Sequence, residues 1–130
     1  MKKFFNKFQG VILEDDGAYM STEAKDFYRE MKGALRKGLK KYGITLISFR
    51  IGHYDCSGMC EKDGKFVYIS HSINRGFPVN LNAWDPMCGF LYRTSPDAES
   101  CSSGHGPNNF TNWLDLPNAI NKLMERREVA

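Results

Sequence analysis

The chain has 130 residues, 42% of them hydrophobic and 25% charged, with a formal net charge of +3. That is enough apolar material for one domain with its own core, and it excludes global disorder and a miniprotein held together by disulfides. No apolar run approaches the roughly twenty residues a membrane-spanning helix needs, and the mild basicity permits a nucleic-acid partner without indicating one.

The first twenty residues read as an N-terminal extension. Phe4, Phe5 and Phe8 form one apolar side of a short helix that docks on the core, and residues 11–13 make a short strand at the sheet edge. The lysines before them resemble the start of a signal peptide, but no uninterrupted apolar segment follows, so a cytosolic protein is expected. In that compartment the four cysteines are thiols or metal ligands rather than disulfides.

Residues 21–42 form the clearest helix. Ser21 or Thr22 caps it, Glu23 and Asp26 sit at its positive end, and Gly43 stops it. Ala24, Phe27, Tyr28, Met31, Ala34, Leu35, Leu39 and Tyr42 fall on one apolar stripe. Gly33 and Gly38 weaken the helix and mark places of close packing. The opposite side carries Lys25, Arg29, Lys32, Arg36 and Lys40. These five are the candidate partner-binding residues, a cationic ridge for phosphate or for an acidic protein surface; solvated helix surface is the plainer reading.

Residues 44–51 follow as a strand, with Ile44, Leu46, Ser48 and Arg50 on one side and Thr45, Ile47, Phe49 and Ile51 on the other. Asp63-Gly64 then sits between two apolar-rich runs. Asp-Gly favours a two-residue type I′ turn because both positions need positive φ. The hairpin this predicts joins 57–61 to 66–71 and sets its register: Lys62 opposite Lys65, Cys60 opposite Val67, Gly58 opposite Ile69 and Cys56 opposite His71. Alternation gathers Cys56, Gly58, Cys60, Val67, Ile69 and His71 on one face, and Met59, Phe66 and Tyr68 on the other.

Residues 74–85 are turn-rich and read as an exposed excursion. Residues 89–94 are a fourth strand, and 95–109 a Ser/Gly/Pro/Asn loop holding Cys101 and His105. Pro117 opens a C-terminal helix that buries Ile120, Leu123 and Met124. The fold class is therefore α+β, one domain: an antiparallel sheet of three to four strands, a long helix across one face and a C-terminal helix beside it.

Three constellations could carry chemistry. Cys56, His71, Cys101 and His105 have the ligand types of a Cys2His2 zinc site, with the late loop folded over the hairpin. Cys60 can join Cys56 on one ion only if a bulge or turn intervenes, because strand residues four apart are separated by roughly 13 Å; it reads better as a small buried hydrophobe. Cys56 with His71 or His53 has the parts of a nucleophilic pair, but no nucleophile elbow or oxyanion loop surrounds it, so no catalytic residue is assigned. His53, Tyr54 and Asp55 with Arg93, Asn108 and Asn109 could line a polar pocket, or simply satisfy turns.

The order of motifs is also familiar. Thr22-Glu-Ala-Lys-x-Phe27, Tyr42-Gly-Ile44, His53-Tyr-Asp-x-Ser-Gly58, Lys62-Asp-Gly-Lys-x-Val-Tyr-Ile-Ser70, Leu91-Tyr-Arg-Thr94 and Asn109-Phe-Thr111 follow one another over about residues 21–125. The chain resembles a group of small α+β proteins carried by phages and conjugative elements of Gram-positive bacteria. Members usually have an apolar residue at the positions of Cys56 and Cys60, which makes any zinc site here private to this chain. The resemblance implies an accessory protein of a mobile element, acting in the host cytoplasm by binding, in a context that includes anti-CRISPR proteins. The expected partner is a host defence effector such as a Cas nuclease; the alternative is a zinc-stabilised nucleic-acid-binding module.

Overall fold

The structure is a computed structural model, and it describes residues 1–16, 19–52, 55–72, 76–99 and 106–129. Its elements in chain order are α1 (Lys2–Phe8), β1 (Asp15–Asp16), β2 (Tyr19–Met20), α2 (Thr22–Lys40), β3 (Thr45–Ile51), β4 (Asp55–Lys62), β5 (Lys65–Ser72), β6 (Phe90–Ser95), β7 (Asn109–Thr111) and α3 (Leu116–Val129). Strands β3 to β7 form one antiparallel sheet in sequential order, while β1 and β2 pair only with each other. The class is α+β, with five strands in the main sheet rather than three or four.

The hairpin follows its turn. Asp63 and Gly64 both have positive φ, +53° and +78°, and the β4–β5 register runs unbroken from Lys62 opposite Lys65 to Cys56 opposite His71. Cys56, Cys60, Val67 and Ile69 are buried on the helix-covered face. The strand before the hairpin departs from simple alternation. Leu46 pairs with Cys60 but Ser48 pairs with Met59, so Ile47 is an extra residue, a β-bulge. Beyond it the sides exchange: Phe49 and Ile51 join Leu46 on the helix side, opposite Gly58 and Cys56, while Ser48 and Arg50 turn outward. Gly58 makes room for the bulge, since a Cβ there would lie 2.7 Å from the Ser48 carbonyl oxygen.

Helix α2 crosses the sheet as its apolar stripe dictates. Ser21 Oγ accepts from the Ala24 N–H at 3.1 Å, and Ala24, Phe27, Tyr28, Met31, Leu35 and Leu39 are buried. Tyr42 lies past the last turn and is exposed, so it leaves the stripe. Gly38 is a point of close approach, where a Cβ would collide with the Met1 side chain; Gly33 has nothing within 4 Å of that position.

Phe4 and Phe8 of α1 enter the core, their rings 4.9 Å apart and both within about 5 Å of Phe27. Trp113, just before α3, is fully buried against Phe4 and donates its indole N–H to the Met1 carbonyl at 3.1 Å. Ile120 and Met124 complete the core from α3, with Leu123 half-buried against it. The 11–13 segment does not extend the sheet: Ile12 makes one isolated bridge, to Pro78.

Strand β7 is only three residues long and lies in a stretch whose composition reads as loop. It becomes a strand because Phe90, Leu91 and Tyr92 of β6 offer it a partner edge. Chain distance hides that pairing.

Candidate interaction surface

Among the described residues, the three most exposed large hydrophobic side chains all lie in the 76–89 segment. Phe77, Trp84 and Met87 are 69%, 70% and 78% exposed, values far from the burial such side chains usually find. The sequence predicts an exposed excursion over 74–85, and of its described part, 76–85, that holds only for alternate stretches. Leu81 and Ala83 are buried.

Its backbone is tied down from several sides. Gly76 N–H donates to the Leu13 carbonyl (2.7 Å), Val79 N–H to the Val11 carbonyl (2.8 Å), and the Val79 carbonyl accepts from Gly10 N–H (2.8 Å). Leu81 N–H donates to Gln9 Oε1 at 2.6 Å, and the Leu81 carbonyl accepts from Trp113 N–H at 3.1 Å. Further along, Asp85 Oδ1 accepts from the N–H groups of Met87 and Cys88. The loop is therefore a preformed display of three apolar side chains, and ordering on contact would cost it little. Asp85 is the only charged residue from 76 to 89.

The five candidate partner-binding cations do share one face of α2. Lys25, Arg29, Arg36 and Lys40 are exposed and Lys32 is half-buried. Arg29 pairs with Asp26 at 3.0 Å, and on another side of the helix Glu30 holds Lys7 at 2.9 Å. The ridge is real as geometry, and solvated enough that each pair contributes little to stability.

Of the metal candidates, Cys56 and His71 are cross-strand neighbours, as the hairpin register requires. Cys101 and His105 lie outside the described residues, as do His53 and Tyr54. Among the described residues no three His, Cys, Asp or Glu gather as a metal site would need. Burial, helped by the Asp55 carboxylate, pushes the Cys56 thiol up to about 12, and burial alone does the same to Cys60. Both are thus packed as thiols rather than poised as thiolates.

His71 stacks on Phe90 at 4.3 Å, and its Nε2 lies 3.1 Å from the Cys88 carbonyl oxygen. Burial holds its imidazole down at about 4. Arg93 sits over the Tyr68 ring at 4.8 Å and donates to Asn108 at 3.2 Å, so that part of the expected polar pocket is assembled.

The outward sheet face carries Ser48, Arg50, Ser57, Met59 and Tyr68 around a shallow groove into which Ala98 and Glu99 return. No helix among the described residues is long and apolar enough to cross a membrane.

Sequence reasoning missed the Phe77/Trp84/Met87 display. The signal was present as three large apolar residues in a turn-rich stretch, but nothing in it says that Leu81 turns inward while Trp84 turns outward. The fold is α+β, and a backbone-anchored loop on it exposes three large apolar side chains. No protein-family model matches the chain, and neither a curated protein nor a solved structure matches it.

Proposed function

We propose that this protein acts by binding, as an anti-defence inhibitor of the anti-CRISPR type that occupies the surface of a nucleic-acid-handling effector such as a Cas nuclease. The observation that carries the binding part is the fixed loop exposing Phe77, Trp84 and Met87. Rigid aromatic anchors of this kind supply most of the energy in protein interfaces. The order of sequence motifs supports the mobile-element setting and thereby the choice of target. The cationic face of α2 would speed encounter with an acidic effector surface without setting the affinity.

The test is plasmid interference in cells carrying one defence effector at a time, with the chain co-expressed. Wild type restores transformation against at least one effector, and the Phe77→Ser/Trp84→Ser double variant loses that protection while remaining folded. Protection by neither protein, or by both equally, refutes the proposal.

A second reading, a nucleic-acid-binding module with zinc as a stabiliser, is favoured by the five cations aligned on α2. Duplex DNA bound along all five would give a log affinity against log salt slope of about −4 to −5. Fluorescence anisotropy with labelled oligonucleotides at several salt concentrations separates the two readings. Zinc is read on the same protein by elemental analysis.

A further inference from the structure

A cleft of about 370 Å³ lies where α2, the end of β5 and the 77–80 segment meet. Leu13, Phe27, Tyr28, Phe77, Pro78 and Val79 give it apolar walls, and no described residue of its lining is an Asp, Glu, Lys or Arg. Backbone bonds from Val79 to Gly10 and Val11, and from Gly76 to Leu13, hold the outer wall in place. The cleft is therefore preformed, and a group entering it pays little to order the walls. An uncharged apolar wall admits an apolar group and disfavours a charged one.

Tyr28 ties this cleft to the cationic face of α2. Lys25 lies three residues before it and Lys32 four after, and side chains so spaced are surface neighbours on a helix, about 5–6 Å apart at Cβ. Arg29, Arg36 and Lys40 continue the row. Arg29 is held by Asp26, while among the described residues Lys25, Lys32, Arg36 and Lys40 enter no ion pair. An apolar socket and a row of cations thus adjoin, and each asks for a different chemical group. Phosphates would answer the cations alone, and nucleobases would bring polar edges against an apolar wall. An acidic peptide with a large apolar side chain answers both.

We propose that the cleft and the cationic face of α2 form one docking surface for an acidic segment of a partner protein, which seats an aromatic or long aliphatic side chain in the cleft and aligns its carboxylates with Lys25, Lys32 and Arg36. Charge complementarity selects the segment and speeds its arrival, and the buried side chain supplies the hold. Phe77 is both a wall of the cleft and one of the exposed apolar residues of the loop, so the socket is continuous with that surface. The inference rests on the binding role proposed above and gives the partner's contacting segment its chemistry.

The experiment selects a random peptide library displayed on phage against the full chain, then follows the most enriched peptides, made synthetically, by biolayer interferometry and NMR. Enriched sequences should join Asp or Glu to at least one Phe, Trp, Leu or Met, and binding should shift the Leu13 and Val79 methyl resonances. Val79→Phe, which fills the cleft, should weaken binding about tenfold. Lys25→Glu/Lys32→Glu should slow association about tenfold, and Trp84→Ser, outside the cleft lining, should change neither. No enrichment over the bare support, enriched peptides without acidic residues, or binding indifferent to either of the first two variants overturns the proposal. So does labelled duplex DNA that binds through Lys25 and Lys32 where no acidic peptide does. If Val79→Phe does not fold, the wild-type methyl shifts decide for the cleft, and their absence overturns it. Peptide binding that behaves as expected while plasmid interference is unaffected faults the choice of effector and not the docking surface.

Discussion

The bulge at Ile47 can be tested through the residue opposite it. Gly58 faces Phe49 and Ile69 across the two neighbouring strands. A Cβ added there would lie 2.7 Å from the Ser48 carbonyl oxygen and 3.3 Å from side-chain carbons of both Leu46 and Phe49. The nearest of these atoms belongs to the backbone, which cannot step aside without disturbing the β3–β4 ladder. Forcing a methyl into such a packed position costs about 1–3 kcal/mol. Alanine also restricts the unfolded chain, which offsets about 0.4–1 kcal/mol of that. Gly58→Ala should therefore lose about 1–2 kcal/mol. With an unfolding entropy of about 270 cal/mol/K for a chain of this length, the melting temperature falls by about 4–7 °C. Gly33→Ala is the matched control. It lies within α2 with nothing within 4 Å of the new methyl, so it should gain about 0.5–1 kcal/mol from helix propensity. Thermal melts and urea titrations followed by circular dichroism read both. A Gly58→Ala protein as stable as wild type would refute the reasoning, because the Ser48 carbonyl could not then be folded over that position.

Other measurements check the remaining parts. His71 has a folded-state value near 4 against an ordinary 6.5, so between those values the unfolded chain binds more protons and stability falls as pH falls; between pH 7 and pH 5 the loss is about 2 kcal/mol. Unfolding free energies from urea titrations at the two pH values should differ by that amount more in wild type than in His71→Phe. The two tryptophans should separate cleanly by fluorescence, the Trp113→Phe protein emitting to the red and quenched readily by acrylamide, the Trp84→Phe protein emitting to the blue and shielded, since Trp84 is 70% exposed and Trp113 0%. An unshielded Trp113 would mean that α1 does not close over the core. Cys56 and Cys60 should resist alkylation in the native protein and react only on global unfolding, while the half-buried Cys88 reacts before either of them; peptide mapping after a timed iodoacetamide pulse shows the order of these three.

Much of the fold is legible in the residues taken in order. A Ser cap, an i, i+3, i+4 stripe and a following glycine define α2 locally, because helical hydrogen bonds and side-chain neighbours lie within four residues. Asp63-Gly64 determines the hairpin and its register just as locally, because two positive φ values admit one kind of turn. From that register alone Cys56 falls beside His71, and Cys60 falls in the core. Three features were decided only by the tertiary structure. The bulge at Ile47 arises because Leu46 and Phe49 must both reach the helix side across Gly58, a demand set by another strand. Strand β7 exists because β6 offers an open edge. The Phe77/Trp84/Met87 surface depends on which residues of one turn-rich segment find partners elsewhere: Gln9, Leu13 and Trp113 hold its backbone, Leu81 fills the core, and the large side chains between have no core left to enter. Local backbone preferences are written in neighbouring residues, whereas burial is a competition for one interior among residues far apart in the chain. Only the assembled core settles which of them lose.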